Sequence, residues 1–481
     1  MLEAESSQKK QAELPGSEWH PRLRPEDATE RRVRGAMGWL LAYPWFDRLS
    51  LWMLVRYFFP LSRLWAAATV SRGIPERFLE EIPLLSASVD LNRIQGILFQ
   101  VEAARAAAEA VDATWRNSFF GDTHVSPEAL VAIETARRDH HHTLNTTRRQ
   151  FRFLLKHSIP IISPQTPSPE EVAAVYGAAL EDRTPFFRPP DPMPEVEVSR
   201  RVPGSVGTDY WLRFASPSSR LGDTVYAHVH EPEGVRNPPT IIFGHGICVE
   251  FDHWHGLVDE VDGLCSMGFR VIRPEAPWHG RRRLPGHYSG ETIVSRTPFG
   301  PLDAFCGALR EWSVLIHWAR QIGSGPITIG GSSLGALMSL LCADVARDWP
   351  QALRPQAMLL LTHSGHQQDA LMRGALARVW KAREAMEARG WTAEMAERYL
   401  PILDPDWNQV PVMGPEQVVS VLGSYDHVTP FDSGLDLLNT WRVPDENRFV
   451  WRRGHFSVPM TLIRNTAPLE RFKTVVSRLP T

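Results

Sequence analysis

Apolar residues recur at helical spacing through the first third of the chain, then give way to alternating strand-like runs. Up to about Ile162 the pattern predicts helices. Asp90 is placed to cap one that continues through "LNRIQGILFQVEAARAAAEAVDATW". Ser126-Pro127-Glu128 opens a second, with a capping serine and a first-turn proline, predicted to run to about His157. The short "GDTHV" between them implies an antiparallel hairpin. Prolines then recur every few residues to Pro194, with one short helix expected after Ser168-Pro169-Glu170.

After Glu195 come short strands, "EVEVSRRV", "DYWLRFAS" and "TVYAHVHEP". Apolar strands then alternate with helices: "TIIFGHG", "FRVIRPEA", "PITIGGSS", "AMLLLTHSG", "QVVSVLGSYD" and "NRFVWRRGH". Antiparallel strands leading into such alternation predict an α/β fold with a mostly parallel sheet covered by helices on both faces. The expected division is a flexible start over 1–34, a helical extension over 35–160, a proline-rich arm over 161–194 and a catalytic domain over 195–481. Within the last, residues 366–413 form a helical insertion, a candidate cap over the carboxyl edge of the sheet.

Composition narrows the class. The chain is 43% apolar and 22% charged with a formal net charge of -3, which argues against a general nucleic-acid binder. Its four cysteines are widely spaced with no CxxC pair, which suits a reducing compartment rather than a disulfide framework or zinc. The first thirty-odd residues lack the apolar core of a secretory signal. The expectation is a cytoplasmic protein, with peripheral membrane contact as an open alternative.

Candidate chemistry centres on "GGSSLGA". Gly331-Ser332-Ser333-Leu334-Gly335 fits G-x-S-x-G with Ser333 central, whereas centring on Ser332 puts Leu334 where glycine is required. A nucleophile on a sharp strand-to-helix turn needs tiny flanking residues and gains the helix N-terminus for a developing anion. A serine hydroxyl needs a base, and the base an orienting acid. His455 in "RRGHFSVP" and Asp426 in "LGSYDHVTP" each follow a strand, with Asp404 and Asp406 in "LDPDW" as competing acids. An oxyanion hole would use the backbone N–H of Leu334 and, from "FGHGICVE", that of Ile247, with Cys248 as the lesser candidate. No phosphate loop, metal helix or dinucleotide fingerprint competes, and no cofactor or metal is expected.

Gly244 to Gly246, "GGSSLGA", "GSYDHVTP" and "GHFS" resemble the α/β-hydrolase superfamily over about Tyr226 to the C-terminus. More narrowly, "FRVIRPEAPWHGRRRLPG" followed by "RGHFS" is similar to the abhydrolase-domain-eighteen type, Pro277 to Arg282 matching its P-x-x-G-x-R pattern. The resemblance implies hydrolysis of an ester, thioester or amide through an acyl-enzyme on Ser333. Two alternatives stay open: acyl transfer to another hydroxyl, and a non-catalytic scaffold on the same fold.

Two segments bear on substrate. Arg281, Arg282 and Arg283 follow a strand near the expected rim of the site and form a candidate anion clamp, against a solvated loop as the plainer reading. In "WFDRLSLWMLVRYFFPLSRLW", Arg48, Arg56 and Arg63 lie within about 80° of one another on a helix otherwise rich in aromatics, with Pro44 and Pro60 expected to bend or end it. Such a segment, Trp45 to Trp65, suits a lipid interface. It equally suits packing on its own domain or a second copy of the chain, a homo-oligomer. Both features together point to an anionic lipid ester. His140, His141 and His142 stand about 100° apart on a helix and predict a solvated face rather than a metal site.

Overall fold

The computed structural model describes residues 43–86, 90–249 and 260–480. The flexible start expected over 1–34 lies outside the described residues.

Among the described residues ten strands form one sheet: β1 Glu197–Val198, β2 Val202–Pro203, β3 Gly207–Ala215, β4 Thr224–Pro232, β5 Thr240–Gly244, β6 Arg270–Pro274, β7 Ile327–Ser332, β8 Met358–Leu361, β9 Val418–Gly423 and β10 Arg448–Trp451. Their spatial order is β1-β3-β4-β6-β5-β7-β8-β9-β10, with β2 on β3. From β6 to β10 every pairing is parallel, whereas β1 to β4 pair antiparallel and β4 meets β6 antiparallel. The winding reverses at β5, with β6 on one side of it and β7 on the other, which opens the crevice where such sheets bind ligands between β5 and β7. This is the α/β-hydrolase fold.

Side-chain alternation on the central strands explains the two layers of core. Ile242, Ile329, Leu360 and Val418 point to one cluster, Ile241, Phe243, Leu359 and Val419 to the other. Because both faces are covered, β5, β8 and β9 are buried throughout their length and lack polar alternation.

The N-terminal helices belong to the first of these clusters. Helix α1, Pro44–Met53, passes through a π turn at Leu54–Phe58 into α2, Phe59–Ser71. Pro60 has no N–H and would crowd the carbonyl four residues back; the wider turn relieves both problems. It also adds a residue, rotating α2 by about 100° relative to α1. Arg63 therefore leaves the side shared by Arg48 and Arg56 and turns inward, where it donates to the Gly286 carbonyl at 2.9 Å and to Glu81. The single arginine face expected from Trp45 to Trp65 is not formed.

Helices α3, Leu91–Phe120, and α4, Pro127–Thr146, form the hairpin, capped by Asp90 and Ser126 as expected. The second helix does not stay α-helical to His157. It tightens into a 3-10 helix over Thr147–Lys156, which lines Arg148, Phe151 and Leu154 along one buried side. At the hairpin's tip Trp115 and Phe119 pack edge-on to Trp211 of β3, seating it on the antiparallel end of the sheet.

Candidate active site

Ser333 sits between β7 and helix α5, Leu334–Val345, with φ 54° and ψ −114°. Only a tight turn holds a serine there, and it projects the side chain outward from the sheet. The glycines of the motif are explained by contact. A Cβ on Gly331 would come 2.4 Å from the Gly335 carbonyl carbon, and one on Gly335 would come 2.1 Å from the Gly244 carbonyl oxygen. Three glycines from two strands and a helix thus meet where no side chain fits.

His455 follows β10 and Asp426 follows β9. The structure brings both to Ser333: His455 Nε2 lies 3.0 Å from Ser333 Oγ and Nδ1 lies 2.8 Å from Asp426 Oδ2. The other carboxylate oxygen accepts backbone N–H groups of Val428 and Thr429 at 2.8 and 2.9 Å, and the Thr429 hydroxyl donates to Oδ2. Asp426 is thereby locked with one lone pair facing the imidazole. The competing acids stand elsewhere. Asp404 accepts the Gln367 N–H and pairs with His366 at the start of the helical insertion, and Asp406 caps a turn at Asn408.

A further carboxylate reaches this loop from far away in sequence. Asp47 of α1 accepts the Phe456 N–H at 2.6 Å and the Ser457 hydroxyl at 2.5 Å, and packs where a Cβ on Gly454 would clash at 2.3 Å. Burial works against a charged imidazole at His455, but the carboxylates of Asp426 and then Asp47 hold its pKa above the ordinary histidine value. Burial pushes the Asp47 carboxyl itself upward, partly offset by the Ser457 and Phe456 hydrogen bonds. Only a residue's own neighbourhood is legible in sequence, and Asp47 lies 409 positions from Phe456.

The loop after β5 approaches the elbow from the other side. The Gly335 N–H donates to the His245 carbonyl at 3.0 Å, and a Cβ on Gly246 would stand 3.6 Å from that of Ser333. His245 bridges outward, its Nδ1 on the Gly246 carbonyl and its Nε2 accepting the Ala276 N–H. Burial, then the neighbouring His279, hold its pKa well below the ordinary value, consistent with a neutral structural ring. The Cys248 N–H is taken by His279 Nε2 at 3.1 Å. That removes Cys248 from the donor candidates and leaves Leu334 and Ile247, each beside a residue that abuts Ser333 or is Ser333. His279 is the ring that holds this loop, a role for the "PWHG" stretch that sequence alone did not assign.

The arginine triplet is not a clamp at this site. Arg282 is buried between Asp223 and Glu311, with Nε 2.8 Å from the first and Nη2 2.7 Å from the second. Arg281 pairs with Glu275 and lies over the rings of Trp115 and Tyr226, and Arg283 lies over Trp65. The contacts of Arg281 and Arg283 face the N-terminal helices. The arginines' place after a strand predicts the substrate rim, but acids beside the antiparallel strands and the packed helices claim them.

No family model matches the chain, and no curated protein does. Among solved structures it is similar to a Thermus thermophilus protein at 23% identity and TM-score 0.34, covering 53% of this chain and 94% of that one. Acetyl xylan esterase 1 from Thermoanaerobacterium sp. matches at 16% identity and TM-score 0.44, covering 65% and 96%. An esterase from the archaeon Pyrobaculum calidifontis matches at 14% identity and TM-score 0.36, covering 68% and 95%.

Proposed function

We propose that the chain is a serine hydrolase that cleaves a carboxylic ester through an acyl-enzyme on Ser333. One observation carries this: an unbroken hydrogen-bonded chain from Ser333 through His455 to Asp426, ending on a serine held at positive φ. His455 Nε2 takes the hydroxyl proton as Ser333 Oγ attacks the carbonyl carbon. The tetrahedral oxyanion is held by the N–H groups of Leu334 and Ile247. The same imidazole returns its proton to the departing alkoxide, then deprotonates the water that releases the acid. Asp426 keeps Nδ1–H aimed correctly and offsets the charge on the ring. A fluorophosphonate probe should label the wild type and leave Ser333→Ala unlabelled. Equal labelling of both would overturn the nucleophile assignment.

The ester is carried by a lipid at an anionic surface. What supports this is the outward side of α1, where Trp45, Leu49, Trp52 and Met53 are all exposed, between 42 and 51%, with exposed Arg48 among them. Tryptophan and arginine on one face suit the headgroup layer. The opposite side of the same helix carries Asp47 to the His455 loop, so a surface-bound α1 sits beside the catalytic residues. No described helix is long and apolar enough to cross a membrane. Vesicles containing anionic lipid should sediment the wild type but not Trp45→Glu/Trp52→Glu, with hydrolysis of a soluble p-nitrophenyl ester unchanged. Equal sedimentation would remove the lipid reading, and a concentration-dependent dimer lost in the variant would make a second copy the occupant.

A further inference from the structure

Away from the triad, three side chains on the antiparallel end of the sheet converge on one point. His228 and His230 are two apart on β4, so the strand's period of two puts both rings on the same face. Asp209 of β3 is the in-register partner of His230. Its carboxylate stands between the rings: Oδ2 lies 3.2 Å from His228 Nε2 and Oδ1 lies 3.1 Å from His230 Nδ1. One nitrogen from each ring and a carboxylate oxygen all lie within 4.8 Å of one another. With metal–ligand bonds of about 2.0–2.1 Å, the donors of a tetrahedral zinc site stand about 3.3 Å apart. The two measured separations run to different oxygens of the one carboxylate and each is near that edge, and the full donor set lies within 4.8 Å.

The surroundings hold this geometry in place. Asp209 and His230 are buried, and His228 stacks on Trp211 with ring centroids 4.4 Å apart and planes within 10°. A Cβ on Gly204 would come 2.3 Å from Asp209 Oδ1, so the chain there closes over the carboxylate and leaves it facing the histidines. The three residues line a cavity of about 380 Å³ between the sheet and the α3–α4 hairpin. None of the triad residues lines it. Its basic wall is offset in part by acids: Arg105 pairs with Glu109, Arg137 with Glu134, Arg281 with Glu275, and His141 with Asp112.

We propose that Asp209, His228 and His230 form a binding site for a divalent transition-metal ion of the zinc type, with its fourth position open to this cavity. Two imidazoles and one carboxylate with an open position make a three-ligand set of the kind zinc accepts. The ion would link β3 and β4 directly beneath the hairpin. It takes no part in the chemistry proposed for Ser333, so either reading stands if the other fails.

The full-length protein, stripped with a chelator, is titrated with Zn2+ by calorimetry and with Co2+ by visible absorption. One ion per chain is expected, with cobalt bands of a low-coordinate nitrogen–oxygen site and a rise in melting temperature on adding zinc. His228→Gln/His230→Gln, which keeps polar side chains of similar size, should lose the ion, the bands and the thermal shift. His140→Gln/His142→Gln should keep all three and serves as the control for adventitious binding. If the first variant melts below the stripped wild type, Asp209→Asn provides the same test. Absence of stoichiometric binding by the wild type would overturn the site. So would binding undiminished in the β4 variant, since the ion would then sit elsewhere.

Discussion

At the parallel end of the sheet His455 stands between a serine and a carboxylate, and at the antiparallel end Asp209 stands between two histidines. The first cluster is asymmetric and strained. Its serine is at positive φ, its glycines touch backbone to backbone, and its three members come from three separate strand ends. The second is made from regular strands in register, with no nucleophile. The difference is instructive. Backbone strain is retained where a side chain must be thrust at a substrate, whereas a ligand site for an ion needs only donors at the right spacing.

The sharpest break of that contrast is Asp426→Asn. Removing the charge while keeping the shape should lower kcat about 10⁴-fold, because the imidazole loses its orienting acceptor. Ester hydrolysis measured beside circular dichroism separates this from misfolding. A drop of only a few-fold would mean that another acid serves His455.

Next in size is Arg282→Met. Glu311 would remain buried without its guanidinium, and losing one partner of such a pair costs about 3–5 kcal/mol. Denaturant unfolding should show that loss, while kcat/KM for anionic and neutral esters keeps its ratio. A selective rise in KM for the anionic ester, with stability intact, would restore the clamp.

The smallest expected effect is that of Asp47→Asn. A roughly tenfold fall in kcat follows from a loosened histidine loop. The pH profile carries more information. His455 acts as a base only when neutral, so the rate rises as pH climbs through its raised pKa. Asp47→Asn removes one of the two carboxylates holding that pKa up, after burial has pulled it down, so the rising limb should move to lower pH. An unmoved limb with a lower plateau would make Asp47 purely structural.

Much of the Ser333 end is legible in the sequence because its rules are local. Ser333 follows from tiny residues at fixed offsets, and Asp426 and His455 from polar residues just past apolar runs. The antiparallel end is not. "HVH" in β4 carries no metal spacing until Asp209 is known to be its cross-strand neighbour, whereas in the more conspicuous run from His140 to His142 the middle member pairs with Asp112. The arginines of Arg281 to Arg283 were visible as charges, but their partners Asp223, Glu275 and Glu311 were not.

From the order of residues alone came the strand–helix alternation, the strained turn at Ser333 and the identity of its two partners, since each depends on side-chain size or polarity within a few positions. The tertiary structure decided which face of α1 meets solvent, through the extra residue of one π turn. It also decided that Asp47 reaches the His455 loop and that three basic side chains point away from the cleft. Those outcomes rest on contacts between segments hundreds of residues apart, where packing and the need to neutralise buried charge, not local pattern, select the arrangement.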